Sequence, residues 1–86
     1  MSRVTIYSTS SCPVCVRAKT MLDKWEIPFE EIMIDGDNTA YKEFARVTNG
    51  ARTVPQILID GKPVGGFSEL TELHMDGELD ELMPQD

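Results

Sequence analysis

The stretch Ser10-Ser11-Cys12-Pro13-Val14-Cys15 constrains this chain most, because it holds both cysteines and directly follows an apolar run. Val4 to Tyr7 reads as a short buried strand. From Pro13 onward Val14, Cys15, Ala18, Met21, Leu22 and Trp25 recur at helical spacing, so a helix begins at the motif. Pro13 suits the first helical position, where its fixed φ fits and its missing N–H would have had no partner anyway. Cys12 is then the N-cap and Cys15 the third helical residue, the two positions of a capping box. A thiolate on Cys12 accepts from first-turn N–H groups at the positive end of the helix dipole, equivalent to about half a unit charge. A free thiol ionises near pH ~8.5, and helix starts in C-x-x-C motifs lower that value, so Cys12 is expected to be the nucleophile.

Cys15 lies one turn further on, a spacing compatible with the ~5.5–6 Å Cα separation that a disulfide prefers. It is expected to be the resolving thiol. Zinc normally takes four ligands, and beyond the two cysteines the chain offers only the distant His74, so no metal site is expected. A permanent structural bridge closing so small a loop would constrain little of the unfolded chain. Redox chemistry is the reading that remains.

Eighty-six residues allow one small domain, with 41% hydrophobic content and no apolar run approaching the ~20 residues of a membrane span. The chain enters a strand at once, without the charged leader and apolar region of a secretory signal, which gives the expectation of a cytoplasmic protein. The net charge of −7 is unevenly placed: every Lys and Arg precedes Phe67, whereas Glu69, Glu72, Asp76, Glu78, Asp80, Glu81 and Asp86 follow it. This balance argues against nucleic acid as a partner and reads chiefly as a solvated acidic face. Arg17 and Lys19 follow the cysteines, where they either favour the Cys12 thiolate, attract an anionic substrate, or are plain exposed helix charges.

The first helix should run from Pro13 to about Trp25 and end before Pro28. Phe29 to Ile34 is a second strand. Asp35-Gly36-Asp37-Asn38 is a turn that also caps a second helix, Thr39 to Thr48, which Asn49-Gly50 stops. Gln56 to Ile59 and Lys62 to Gly65 flank Asp60-Gly61, a two-residue hairpin signal. Ser68 is the expected N-cap of a third helix reaching about Met75, and Glu78 to Met83 a last short turn before Pro84. The order βαβαββα predicts an α/β fold, one four-stranded mixed sheet flanked by helices. A right-handed crossover puts Cys12 at the carboxyl end of the first strand, the edge ligands favour in open α/β sheets.

In this order the stretches resemble the glutaredoxin family, specifically its short bacterial dithiol members, over nearly the full length. The resemblance is carried by Val4-Thr5-Ile6-Tyr7 leading into Cys12-Pro13-Val14-Cys15-Val16-Arg17-Ala18-Lys19, then Gly50-Ala51-Arg52-Thr53-Val54-Pro55-Gln56-Ile57, Gly65-Gly66-Phe67-Ser68-Glu69-Leu70 and Gly77-Glu78-Leu79. It implies a thioredoxin-like fold with a cis Pro55 facing the cysteines, and catalysis by Cys12 and Cys15. It also implies glutathione as co-substrate, with no cofactor bound permanently. The Val54 backbone would pair with the cysteinyl part of glutathione. Ser68, Glu69 and the N–H groups opening the third helix would hold the γ-glutamyl end. Arg52 and Lys42 would meet the glycine carboxylate, and Thr9, Pro13, Val14, Thr53, Pro55, Gly66 and Phe67 complete the implied contact set.

The family thereby implies a monomeric, cytoplasmic glutathione-dependent thiol-disulfide oxidoreductase serving redox homeostasis. Its protein partners would be disulfide-containing or glutathionylated proteins, ribonucleotide reductase among the candidates, with neither nucleic acid nor membrane. Thr9 stands where the family often has lysine, Val14 where it usually has an aromatic, and Glu69 where Asp is frequent. Phe67 stands where some relatives carry a third cysteine. Two other readings stay open. One is a redoxin fed by thioredoxin reductase as donor to ribonucleotide reductase, against which Gly65-Gly66-Phe67-Ser68 lacks the tryptophan-led segment of such proteins. The other is a glutathione-ligated iron-sulfur carrier, which proline after the first cysteine disfavours in the family.

Overall fold

The computed structural model describes residues 3–83. The elements follow the order β1 (Val4–Ser8), α1 (Pro13–Lys24), β2 (Phe29–Met33), α2 (Asn38–Val47), β3 (Gln56–Ile59), β4 (Lys62–Gly65), α3 (Phe67–Met75) and a 3-10 turn at Asp80–Leu82. The strands form one sheet in the order β2-β1-β3-β4. β1 and β2 run parallel, while β3 lies antiparallel to both β1 and β4. This is the expected four-stranded mixed sheet.

Alternation along the strands sorts side chains onto two faces. Val4, Ile6 and Ile57 point to one face, where α1 supplies Ala18 and Leu22, the end of α1 Trp25, α3 Leu70 and the last turn Leu79. Tyr7 and Leu58 point to the other and meet Phe44 of α2 with Ile34. Tyr7 and Phe44 make a tilted ring contact at 5.5 Å, and burial pushes the Tyr7 phenol above its ordinary value. Burying each of these large side chains contributes about 1.5–3 kcal/mol. α1 buries Cys15, Ala18 and Leu22 at helical spacing, so packing of this helix also fixes where the second cysteine sits.

Three helices stop in the same way. After α1 the N–H of Ile27 bonds Leu22 O and that of Glu26 bonds Asp23 O; after α2 Gly50 bonds Ala45 O; after α3 Glu78 bonds Leu73 O and Gly77 bonds His74 O. Each stop enters the left-handed region: Glu26 after α1, Asn49 and Gly50 after α2, and Gly77 after α3. The α1 stop therefore comes from Glu26, ahead of Pro28. Asp37 caps α2 by accepting from Thr39 N at 2.9 Å and Ala40 N at 3.1 Å. Asp60 and Gly61 both have positive φ, as the hairpin requires.

The start of α3 corrects the sequence reading. Gly66 is the N-cap, and Ser68 lies inside the first turn. The Glu69 carboxylate reaches back to accept from Gly66 N at 2.8 Å, which starts the helix two residues earlier than a Ser68 cap would. Glycine has no side chain to complete a capping box, so this is half of one. The expected stop at Pro84 lies outside the described residues.

Candidate active site

Cys12 is the N-cap of α1, with Pro13 at the first helical position. Its sulfur accepts from Cys15 N–H at 3.0 Å, so the first turn aims a donor at the sulfur. Cys12 and Cys15 are joined as a disulfide with Cα atoms 5.2 Å apart. Cys15 is 1% exposed whereas Cys12 is only half-buried. Access therefore distinguishes the two: an incoming disulfide reaches Cys12, and Cys15 can act only on what is bound there. Pro13 and Val14 lie exposed beside the pair.

A second segment faces the sulfur. The Val54–Pro55 peptide is cis, Pro55 is buried, and Val54 O lies 3.8 Å from Cys12 Sγ. A third segment closes on the second. A Cβ placed on Gly66 would lie 3.2 Å from Pro55 O, so the backbones approach more closely than a side chain readily allows. Leu70 N bonds Gly66 O at 3.0 Å, the first bond of α3, leaving the N–H groups of Phe67, Ser68 and Glu69 without a helical partner. The structure thus gathers Cys12, Val54, Pro55, Gly66 and the opening turn of α3. Arg52 and Thr53 are exposed on the adjoining loop, where Thr53 Oγ1 accepts from Gln56 Nε2 at 3.2 Å. Lys42 lines a different groove, with Ile32, Thr39, Ala40 and Glu43. Thr9 is half-buried in the loop before Cys12.

That loop is held by contacts that the local sequence patterns do not indicate. Asp35 accepts from both the N–H and the hydroxyl of Ser10, which keeps its carboxyl below the usual carboxylate range. Just before the loop, fully buried Ser8 donates to Glu31 Oε2 at 2.6 Å, and Lys19 Nζ pairs with the same oxygen at 2.7 Å. Lys19 first and Ser8 second hold Glu31 low. Lys19 is thus engaged with a carboxylate, and the Arg17 guanidinium sits 5.9 Å from the centre of the Phe67 ring. The signal for these contacts is the parallel register, with Ser8 opposite Met33, which no local pattern reveals. Among the described residues no group of three or more His, Cys, Asp or Glu side chains is arranged to hold a metal ion. No helix among them is long and apolar enough to cross a membrane.

A family model for glutaredoxins matches residues 4–64. Glutaredoxin 1 of Rickettsia typhi is 43% identical over 81 residues, spanning 93% of this chain and 78% of that protein. Glutaredoxin 3 of Escherichia coli K12 is 42% identical over 83 residues, spanning 96% of this chain and 99% of its own length. Among solved structures, the crystal structure of a buckwheat glutaredoxin-glutathione complex is similar with a TM-score of 0.79 at 27% identity, covering 94% of this chain and 76% of that one.

Proposed function

This chain belongs to the glutaredoxin family and is a thiol-disulfide oxidoreductase with a thioredoxin-like fold, and on that footing we propose that glutathione is its reducing co-substrate. One observation carries the proposal: Cys12 Sγ stands at a helix start with Cys15 N–H at 3.0 Å and the Val54 carbonyl at 3.8 Å. The first favours a thiolate, and the second offers backbone pairing to a short peptide whose sulfur meets Cys12. The unpartnered N–H groups of Phe67, Ser68 and Glu69 suit a carboxylate of that peptide. The glutathione complex of the buckwheat relative supports this choice of thiol.

In the proposed cycle the Cys12 thiolate attacks the sulfur of glutathione in a mixed disulfide, and the substrate thiolate leaves and takes a proton. A second glutathione thiolate then attacks the glutathione sulfur held on Cys12, releasing glutathione disulfide and restoring the Cys12 thiolate. With a protein disulfide, Cys12 forms the mixed disulfide and Cys15 displaces the substrate from it. Two electrons pass to the substrate and leave the Cys12–Cys15 disulfide, which glutathione reduces in turn. Cys12 and Cys15 are the catalytic residues of this reading. Val54, Pro55, Gly66, Phe67, Ser68 and Glu69 form its glutathione wall, extended by Thr9, Pro13, Val14, Arg52 and Thr53, with Lys42 furthest along α2. The protein acts as a monomer in the cytoplasm, where glutathione is abundant, on disulfide-containing or glutathionylated proteins.

The test is reduction of the oxidised protein by glutathione, compared with reduction by thioredoxin reductase and NADPH and followed by Trp25 fluorescence or a coupled assay. Reduction by glutathione is expected. Reduction by the reductase alone would overturn the choice of co-substrate.

A further inference from the structure

Beside the redox pair, α1 and α3 leave a shallow groove lined by Val16, Arg17, Thr20, Met21 and Phe67. It adjoins the site through Phe67, which follows the Gly66 backbone packed against Pro55. Its walls are apolar and open: Val16 is 56% exposed, and Val14, also on the first turn of α1, is 40% exposed. Val16 spends little of its surface on the core and is free to be covered by an apolar side chain of a partner.

The charge in the groove selects the occupant. Arg17 is its one charged side chain. The ion pairs among the described residues engage Arg3, Lys19 and Arg46 and leave Arg17 out. The guanidinium is instead parked over the Phe67 ring, which holds it in place without neutralising it. Arg17 thus keeps its charge beside the apolar side chains of Val16 and Met21, on a chain that carries −7 overall. A carboxylate brought to Arg17 gains a charge-assisted hydrogen bond, and the acidic remainder of the protein repels it elsewhere.

We propose that this groove docks the segment flanking the target cysteine in protein-disulfide substrates, and that it selects segments with an apolar side chain followed by carboxylates. The proposal rests on the oxidoreductase reading above and names the substrate class for it. The apolar side chain covers Val16 and Met21, the carboxylate meets Arg17, and the sulfur is delivered across Phe67 towards Cys12.

The test uses the full-length reduced protein and two synthetic peptides, each with an internal disulfide, one flanked by Leu-Glu-Glu and the other by Leu-Lys-Lys. The second-order rate constant for oxidation of the protein is measured with each, and with bis(2-hydroxyethyl) disulfide as a substrate that has no flank. The wild type should favour the acidic peptide about tenfold at low salt, an advantage that shrinks as salt screens the pair. Arg17→Glu should invert the ratio, which is insensitive to any change in intrinsic thiol reactivity. Val16→Ser should slow both peptides and leave bis(2-hydroxyethyl) disulfide unchanged. Equal rates on the two peptides, or a ratio unmoved by Arg17→Glu, would overturn the docking inference while leaving the oxidoreductase reading intact. A wild type inert towards bis(2-hydroxyethyl) disulfide would instead sink that reading. A dimer in sedimentation velocity that Arg17→Glu abolishes would overturn the inference by giving the groove to a second copy.

Discussion

Asp35 holds Ser10 by two hydrogen bonds, one from the backbone N–H at 3.1 Å and one from the hydroxyl. The contact spans 25 residues of sequence and anchors the loop that delivers Cys12 to the start of α1. Its pH dependence follows from sign. The Ser10 donors depress the carboxyl in the folded state, so the stabilisation is complete above the ordinary Asp value of about 3.9 and is lost as pH falls through the lower folded value. Asp35→Ala should therefore be less stable than the parent at pH 6, and the gap should close on acidification below about pH 4. Urea melts across that range check it; a gap independent of pH would contradict the linkage.

The two cysteines should separate by substrate. Cys15 is 1% exposed and can reach only a sulfur already bound to Cys12. Cys15→Ser should keep deglutathionylation of a small mixed disulfide within about threefold of the parent and lose reduction of protein disulfides, because the mixed disulfide then lacks a resolving thiol. Cys12→Ser should lose both. Steady-state assays on both substrate types decide it, and full activity of Cys12→Ser would falsify the assignment of the nucleophile.

Gly66 is set by close approach. A methyl group there would meet the backbone carbonyl of Pro55 at 3.2 Å, with no flexible side chain to yield. Gly66→Ala should cost about 1–3 kcal/mol of stability by overpacking. It should also lower kcat/KM with glutathione about tenfold, since a wall displaced by a fraction of an ångström misaligns the bound sulfur. Denaturant melts and steady-state kinetics on the same preparation report the two effects.

Glu26 sits at φ 58 in the left-handed stop of α1, a conformation that disfavours any residue with a Cβ. Glu26→Gly should relieve that cost at some loss of unfolded-chain restriction, leaving a net gain of about 0.5–1 kcal/mol. The midpoint of urea unfolding should rise with an unchanged slope, and no change in disulfide reduction is expected.

Local chemistry was legible in the sequence wherever one turn of chain contains it. The Cys12 cap with Pro13 behind it, the Asp60-Gly61 hairpin and the Asn49-Gly50 stop each depend on residues within five positions of one another, so side-chain type alone decides them. The cap of α3 shows where this fails: Ser68 has the right chemistry, but the Glu69 carboxylate competes for the helix start and takes Gly66 N–H.

What the sequence by itself determined is the order of elements and the placing of a reactive cysteine pair at a strand-to-helix junction, because short-range sterics and hydrogen bonding dictate both. Only the tertiary structure decided what surrounds that pair. Val54 O stands beside Cys12 across 42 residues, Asp35 grips Ser10, and Lys19 joins Ser8 through Glu31. Each contact depends on the register in which β1, β2 and β3 pair. That register is set by burying Val4, Ile6 and Ile57 on one face and Tyr7 and Leu58 on the other, a property of the whole core rather than of any one segment.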